Sequence, residues 1–240
     1  MKYDDTTYRF LKGIEFSNGA SFKICDKSNE NVFYSDEYLV ELSRNKKILH
    51  IGCVDHLALI DDKIKSGRWL HKKLIDSADI CFGIDINKEG IIYLQDKYNI
   101  NNLYALDIIS GEVPEEILKF KFDYILLPDV IEHIGNPVNF LKNIRKKFKH
   151  NAEKIILTTP NGFRWDNFIN TFKNKEIINT DHRFWFTPYT LSKIVVDAGF
   201  NINKLDYVEH GKLSRKKPIK KMIVSYFRPF RDTLIMEASF

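Results

Sequence analysis

The stretch "KKILHIGCVDH", residues 46–56, decides how the rest of the chain is read. Its apolar run, Ile48 to Ile51, stops at Gly52 in the way a buried parallel strand stops at a tight turn. A loop that cradles a dinucleotide pyrophosphate needs several glycines, because the backbone must come close to the phosphates. Here Val54 and His56 stand at the later glycine positions. The stretch suits a ligand that asks for one close backbone approach and no phosphate cradle.

Working outward, short apolar runs alternate with amphipathic ones. Strands are expected at Lys47–Ile51, Ile80–Ile84, Asn102–Leu106, Phe122–Leu127 and Lys154–Thr159, with helical spacing at 57–77, 88–98, 113–119 and 137–149. This rhythm means crossover units around a parallel sheet covered on both faces. After the fifth strand a polar and aromatic insertion, 160–187, precedes a helix from Pro188 to Ala198, with Pro188 suited to its first turn and Gly199 to its end. Two more strands, "FNINKLDYV" (200–208) and "DTLIMEASF" (232–240), flank a basic segment and "MIVSYFRPF". The expected fold is α/β: a Rossmann-like, seven-stranded, mostly parallel sheet with helices on both faces. Residues 1–45, rich in Phe and Tyr but weakly periodic, read as an N-terminal cap or lid on a domain over 46–240.

A chain of 240 residues, 44% hydrophobic and 29% charged, can bury a sizeable core as one large domain. The net charge of +5 gathers in "KNIRKKFKH" (142–150) and "KLSRKKPIKK" (212–221). Such runs are usually solvated, with nucleic-acid or weak membrane-surface contact as the lesser reading. Cys25, Cys53 and Cys81 are odd in number and widely spaced, which suggests neither a disulfide framework nor a thiolate metal site. A reducing cytoplasm is the expected setting. The opening "MKYDDTTYRF" lacks a leader pattern, and no apolar run is long enough to span a bilayer.

In open parallel sheets ligands bind beyond the carboxyl ends of the strands. The residues there form a set: Gly52 after the first strand, Asp85 after the second, Asp107 after the third, Asp129 after the fourth. A carboxylate after the second strand can accept both hydrogen bonds of a ribose diol, and one after the third can accept from an adenine amino group.

These residues resemble the class I S-adenosylmethionine-dependent methyltransferases. The family's loop "LDIGCGDG" aligns without gaps on Leu49 to His56, with His50 in place of the acid. "GIDIN", "ALDI", "FDYILLPDVIEHIGNP", "ILTTPNG" and "HRFWFTPYTLSKIVVDAGF" follow in family order, so the resemblance covers about residues 45–205. "GCVDH" followed by "WLH" (69–71) is similar to a bacterial and archaeal branch often tied to surface-glycan or small-metabolite modification.

The resemblance implies S-adenosyl-L-methionine as cofactor and S-adenosyl-L-homocysteine as product. It places Gly52, Cys53, His56, Asp85, Ile86, Asp107, Ile108 and Asp129 around the cofactor. In "DVIEH", Asp129, Glu132 and His133 share one face of a helical turn. Three readings stay open: Glu132 and His133 hydrogen-bond to the loop or cap the following helix, His133 is a general base or acceptor-orienting group with Glu132 beside it among the candidate catalytic residues, or Asp129, Glu132, His133 and His182 form a divalent-ion site. The metal site is the less favoured, since Asp129 is short for a ligand. Asn161, in a "TPN" turn, is expected to hold an acceptor hydroxyl.

His50 reads equally as a buried imidazole or a cofactor contact, and His56 and His71 are expected to touch each other or the methionine moiety. Trp69, Phe184, Trp185 and Phe186 read as packing rather than as an aromatic cage. The expected reaction is methyl transfer to oxygen, less readily to nitrogen, of a polar small molecule or saccharide, as in polysaccharide biosynthesis. Residues 1–45 and 160–187 are expected to close the acceptor site. The rivals are an RNA methyltransferase and a non-catalytic S-adenosylmethionine-binding module.

Overall fold

The computed structural model describes residues 1–26, 33–213 and 217–240. Seven strands form one sheet: β1 (Lys47–Ile51), β2 (Ile80–Asp85), β3 (Leu103–Ala105), β4 (Phe122–Pro128), β5 (Ala152–Pro160), β6 (Asn201–Val208) and β7 (Thr233–Ser239). Their order is β3-β2-β1-β4-β5-β7-β6, and only β7 runs against its neighbours. The α/β architecture, the strand count and the mostly parallel pairing are those expected from the sequence.

Both faces of the sheet are covered because alternate residues of the central strands are apolar in both directions. Leu49 and Ile51 of β1 and Ile125 and Leu127 of β4 enter a large core, which also takes Phe140, Leu141 and Ile144 of α7 (Pro137–Phe148) and Leu191 and Val195 of α9 (Pro188–Asp197). Ile48, Leu126 and Ile156 point the other way, towards Leu39 of α2 (Ser35–Leu42) and Leu74 of α4 (Leu70–Ser77). Local signals set the helix ends. Asn87 accepts from Gly90 N to cap α5 (Lys88–Tyr98), which stops at Asn99 in a left-handed conformation. Thr187 and Thr190 form a capping box ahead of Pro188.

The order of connection reverses between β1 and β4. Chain growth runs from β1 out through β2 to β3, then returns to β4 and continues through β5. Side-by-side strands whose following loops diverge leave a crevice at their carboxyl ends. The site therefore lies above β1 and β4.

Three expectations need correction. The amphipathic stretch 57–77 is two helices, α3 (Leu57–Lys65) and α4, parted at Gly67, which takes a positive φ of 64°. The insertion 160–187 contains α8 (Trp165–Phe172), and the segment before β7 forms α10 (Pro218–Tyr226). The segment 1–45 is not one lid. Its first helix, α1 (Asp5–Leu11), packs on α9, and the chain runs along β6: the Met1 amino group donates to Leu205 O at 2.7 Å and Tyr8 to Ile202 O at 2.8 Å. Among the described residues of that segment, only Asp36 of α2 reaches the crevice. Residues 27–32, and Ser214, Arg215 and Lys216 of the second basic run, lie outside the described residues.

Candidate active site

The crevice holds a cavity of about 870 Å³ lined by the segments after β1 to β5. At one end the β1 loop turns at Gly52, whose φ of 80° suits glycine. A side chain there would stand 2.3 Å from Val130 Cγ2, so the backbone approach depends on the missing Cβ. Val54 and His56 do not need to be glycine, because neither takes a positive φ. Val54 instead packs over Gly90, where a Cβ would meet Val54 Cγ1 at 2.5 Å. The loop departs from a glycine-rich pattern and is matched by a glycine on the facing helix.

Asp85 is half-buried at the end of β2. Its Oδ2 accepts from Val54 N and its Oδ1 from Asn87 N, each at 2.9 Å. Burial pushes its carboxyl up, and the bonds from Asn87 and Val54 partly offset this. Two backbone bonds fix the carboxylate and leave further lone pairs facing the cavity. Asp107 is held by Ser110 Oγ at 2.6 Å and Ile109 N at 2.8 Å, and these bonds keep its carboxyl below the usual range. Ile86, 73% exposed, Ile108, buried, and the exposed His56 all line the cavity. Cys53 is buried with its thiol pushed up by burial, then by Asp85, which makes it a wall and not a nucleophile.

The other end is built by the 3-10 turn Ile131–His133 and the insertion. Asp129 takes a positive φ of 51° and accepts from Thr158 Oγ1 at 2.9 Å, with His210 Nδ1 3.6 Å away. Glu132 is buried. Its Oε2 accepts from Thr159 Oγ1 at 3.0 Å, while Oε1 has no hydrogen-bond partner and lies 4.0 Å from His182 Nε2. Burial, then the charge of Asp129, pushes the Glu132 carboxyl up to about 8. His133 Nδ1 lies 3.2 Å from Asp181 O, a carbonyl that can only accept, so Nε2 is left as the basic nitrogen. His133 and His182 meet edge to face at 4.7 Å.

The sequence pattern of the methyltransferase domain matches residues 30–205. The chain belongs to that family. No curated protein matches it. Among solved structures, the chain is similar to the small RNA methyltransferase HEN1, with a TM-score of 0.54 and 17% identity, over 90% of this chain but only 27% of that one. It is also similar to magnesium protoporphyrin IX methyltransferase of Synechocystis PCC 6803 with bound SAH, with a TM-score of 0.51 and 15% identity, over 85% and 81% of the two chains. An S-adenosylmethionine-dependent methyltransferase from Mesorhizobium loti matches with a TM-score of 0.50 and 11% identity, over 85% and 97%. The sheet with its single reversed strand is thus the class I methyltransferase fold.

Within the methyltransferase site several residues differ from the sequence expectation. Asn161 does not face the acceptor end: it is buried, its amide donates to Pro229 O and Arg231 O, both at 2.8 Å, and its oxygen accepts from Phe163 N at 3.0 Å. Both amide hydrogens are used in tying the β5 turn to the approach of β7. Asp129 stands outside the group whose ligand atoms converge; among the described residues, Glu132, His133 and His182 place theirs within 4.8 Å of one another. His71 turns to His50 rather than His56, with the two Nδ1 atoms 3.0 Å apart. Burial holds both imidazoles neutral, His71 near pKa 3 and His50 well below the usual value with His71 adding to the effect.

Trp69 donates to Cys53 O at 3.1 Å and braces the cofactor loop from beneath. Arg164 stacks on Trp185 at 4.8 Å, and Phe186 is buried, so the aromatics pack and form no cage. Arg164, Asp181, His210 and Asp232 also line the cavity, without any motif in the sequence to mark them.

Proposed function

We propose that the chain transfers a methyl group from S-adenosylmethionine to an oxygen of a polar small molecule or saccharide. The observation that carries this reading is one cavity with Gly52, Asp85 and Asp107 at one end and the Glu132, His133 and His182 cluster at the other. The residues fit the cofactor. Gly52 removes the Cβ that would block approach, Asp85 presents fixed lone pairs for the ribose hydroxyls, and Asp107 presents an acceptor for the adenine end. When bound, S-adenosylmethionine supplies an electrophilic methyl on sulfur.

The protein's part is alignment and proton removal. His133 Nε2 takes the acceptor hydroxyl proton as the oxygen attacks, with the tautomer set by Asp181 O. Glu132, buried and with its carboxyl raised to about 8, holds a proton at neutral pH instead of a second negative charge beside Asp129. The many polar groups lining the cavity, Arg164, Asp181, His210 and Asp232 among them, favour an acceptor with several hydroxyls.

A second reading has its own support. Glu132 Oε1 and His182 Nδ1 are buried without partners, and with His133 these side chains could hold a divalent cation that lowers the pKa of an acceptor hydroxyl. The test is transfer of labelled methyl to a panel of polyols, sugars and short RNAs, with and without chelator. The reading expects methylated polyol or sugar, with activity indifferent to chelation. Product on RNA alone would overturn the acceptor class, and loss of activity restored by added metal would select the cation.

A further inference from the structure

We propose that the face made by α8 and α10 docks on an anionic lipid bilayer. α10 is turned inside out relative to an ordinary surface helix. Lys220 and Val224 face the protein, while Ile219, Met222 and Tyr226 face outward at 64%, 58% and 71% exposure. Their spacing of three and four residues puts them on one stripe. α8 buries none of its residues and exposes Phe168 and Phe172. The two helices form one surface: Lys220 Nζ reaches Asp166 Oδ2 at 3.0 Å, and Phe230 lies 5.7 Å from Trp165 and 6.0 Å from Phe168. Exposed apolar side chains gathered on two linked helices mark an interaction surface.

The charge around the patch selects the partner. Lys173 and Lys175 follow α8, and Lys217 and Lys221 flank the apolar stripe of α10; all four are exposed. The ammonium of Lys220 is taken up inside by Asp166 and Asp232, so it adds nothing to the outward charge of these four lysines. Protruding apolar side chains with lysines beside them suit insertion below lipid headgroups with anionic phosphates around. At eight and nine residues the helices reach only about 12 to 14 Å, far short of a bilayer core, so they lie on the surface.

Phe168, Phe172 and Tyr226 are aromatic and would offer stacking to RNA, so the lipid assignment rests on Ile219 and Met222 standing exposed beside lysines, and RNA binding is an outcome of the test. A symmetric dimer through this face would set the rim lysines of both copies against one another. The patch adjoins the cavity mouth through Arg164, which precedes α8, and Asp232, which holds Lys220. The proposal does not depend on the acceptor reading.

The test is flotation of the full chain with vesicles of phosphatidylcholine alone and with about 30% phosphatidylglycerol. Flotation with the anionic vesicles and weak or no flotation with neutral ones is expected. Both Met222→Glu/Tyr226→Glu and Lys217→Gln/Lys221→Gln should reduce it about tenfold or more, with S-adenosylhomocysteine affinity by calorimetry unchanged as the check on folding. Equal flotation of wild type and both variants, or equal flotation with neutral vesicles, would overturn the proposal. So would a dimer in light scattering that Met222→Glu/Tyr226→Glu dissociates, or binding of a short RNA that these variants lose while vesicles go unbound.

Discussion

The two ends of the cavity are built by different means. At the cofactor end each carboxylate follows its own strand and is fixed by nearby amides: Asp85 by Asn87 N, Asp107 by Ile109 N, with one reach across to Val54 N. At the acceptor end almost nothing is local. Arg183 N donates to Glu132 O at 2.8 Å, Arg183 Nε donates to His133 O at 3.0 Å, and His133 leans on Asp181 O, all joining the β4 turn to a segment some fifty residues later. A cofactor end made of strand–loop units keeps its shape whatever the insertion does. An acceptor end made by the insertion can change its specificity without disturbing the cofactor, which is how one fold serves many substrates.

The largest break in this contrast is where Gly52 faces Val130, the residue after Asp129. Gly52→Val should abolish S-adenosylhomocysteine binding, since the new Cβ meets Val130 Cγ2 and the left-handed φ disfavours a branched residue. Gly52→Ala/Val130→Ala should recover part of the affinity relative to Gly52→Ala, measured by calorimetry with circular dichroism as the fold check. Normal affinity in Gly52→Val would mean that the cofactor binds elsewhere. Next in size, His133→Ala should lower turnover about 100-fold while binding S-adenosylhomocysteine normally. If a cation is held there, His182→Ala should match it and chelation should mimic both; full turnover of His133→Ala under chelation would leave Glu132 and His133 as structural residues.

The same contrast explains what could be read from sequence. The strands were legible because buried parallel strands are unbroken apolar runs, and the place of Gly52, Asp85 and Asp107 on the cavity wall because the crevice of this fold opens right after those runs. Asn161 misled for a physical reason: a turn residue after a strand can face the ligand or tie the turn down, and only the return of residues 229 to 231 beneath it decides. His71 was paired with the wrong histidine because His56 is nearer along the chain, whereas His50 points to the face that α4 covers. Val54 gave no sign of its match to Gly90, since the pair lies on separate loop and helix. α8 and α10 stayed hidden because their apolar stripes face outward, against the rule that places such stripes in the core.

A smaller effect tests the cofactor end alone. Asp85→Ala should weaken S-adenosylhomocysteine binding by about 1 to 3 kcal/mol, the usual loss for a charged hydrogen-bond partner. Because Asp85 also ties down Val54 N and Asn87 N, Asp85→Asn should lose less, as the amide oxygen can keep one of these bonds. Unchanged affinity in Asp85→Ala by calorimetry would remove the ribose assignment.

The smallest effect reads the acceptor end through stability. Folded Glu132 titrates near about 8, pushed up by burial and by Asp129, against about 4.3 in an unfolded chain. The folded state therefore holds a proton that the unfolded state has lost, so this contribution is full below the unfolded value, falls as pH rises and is gone above about 8. Glu209, raised to about 8 by burial and by Asp232, acts in the same sense. His50 and His71 act in the opposite sense: their folded values are lowered, so stability grows as pH rises towards the unfolded value of about 6.5 and is complete above it. Below that point the histidines, His182 among them, offset the glutamates; from about pH 6.5 to 8 the two glutamates act against the Met1 amino group alone, whose value burial lowers, so the net slope stays downward. Urea denaturation of the wild type should show falling stability across this window, and Glu132→Gln should remove about 1 kcal/mol per pH unit of the slope. A wild-type curve that is flat or rising there, or a Glu132→Gln curve with the wild-type slope, would place Glu132 as a carboxylate already ionised at neutral pH. That outcome would take away its role as a neutral proton carrier beside His133 and strengthen the reading in which Glu132, His133 and His182 hold a cation.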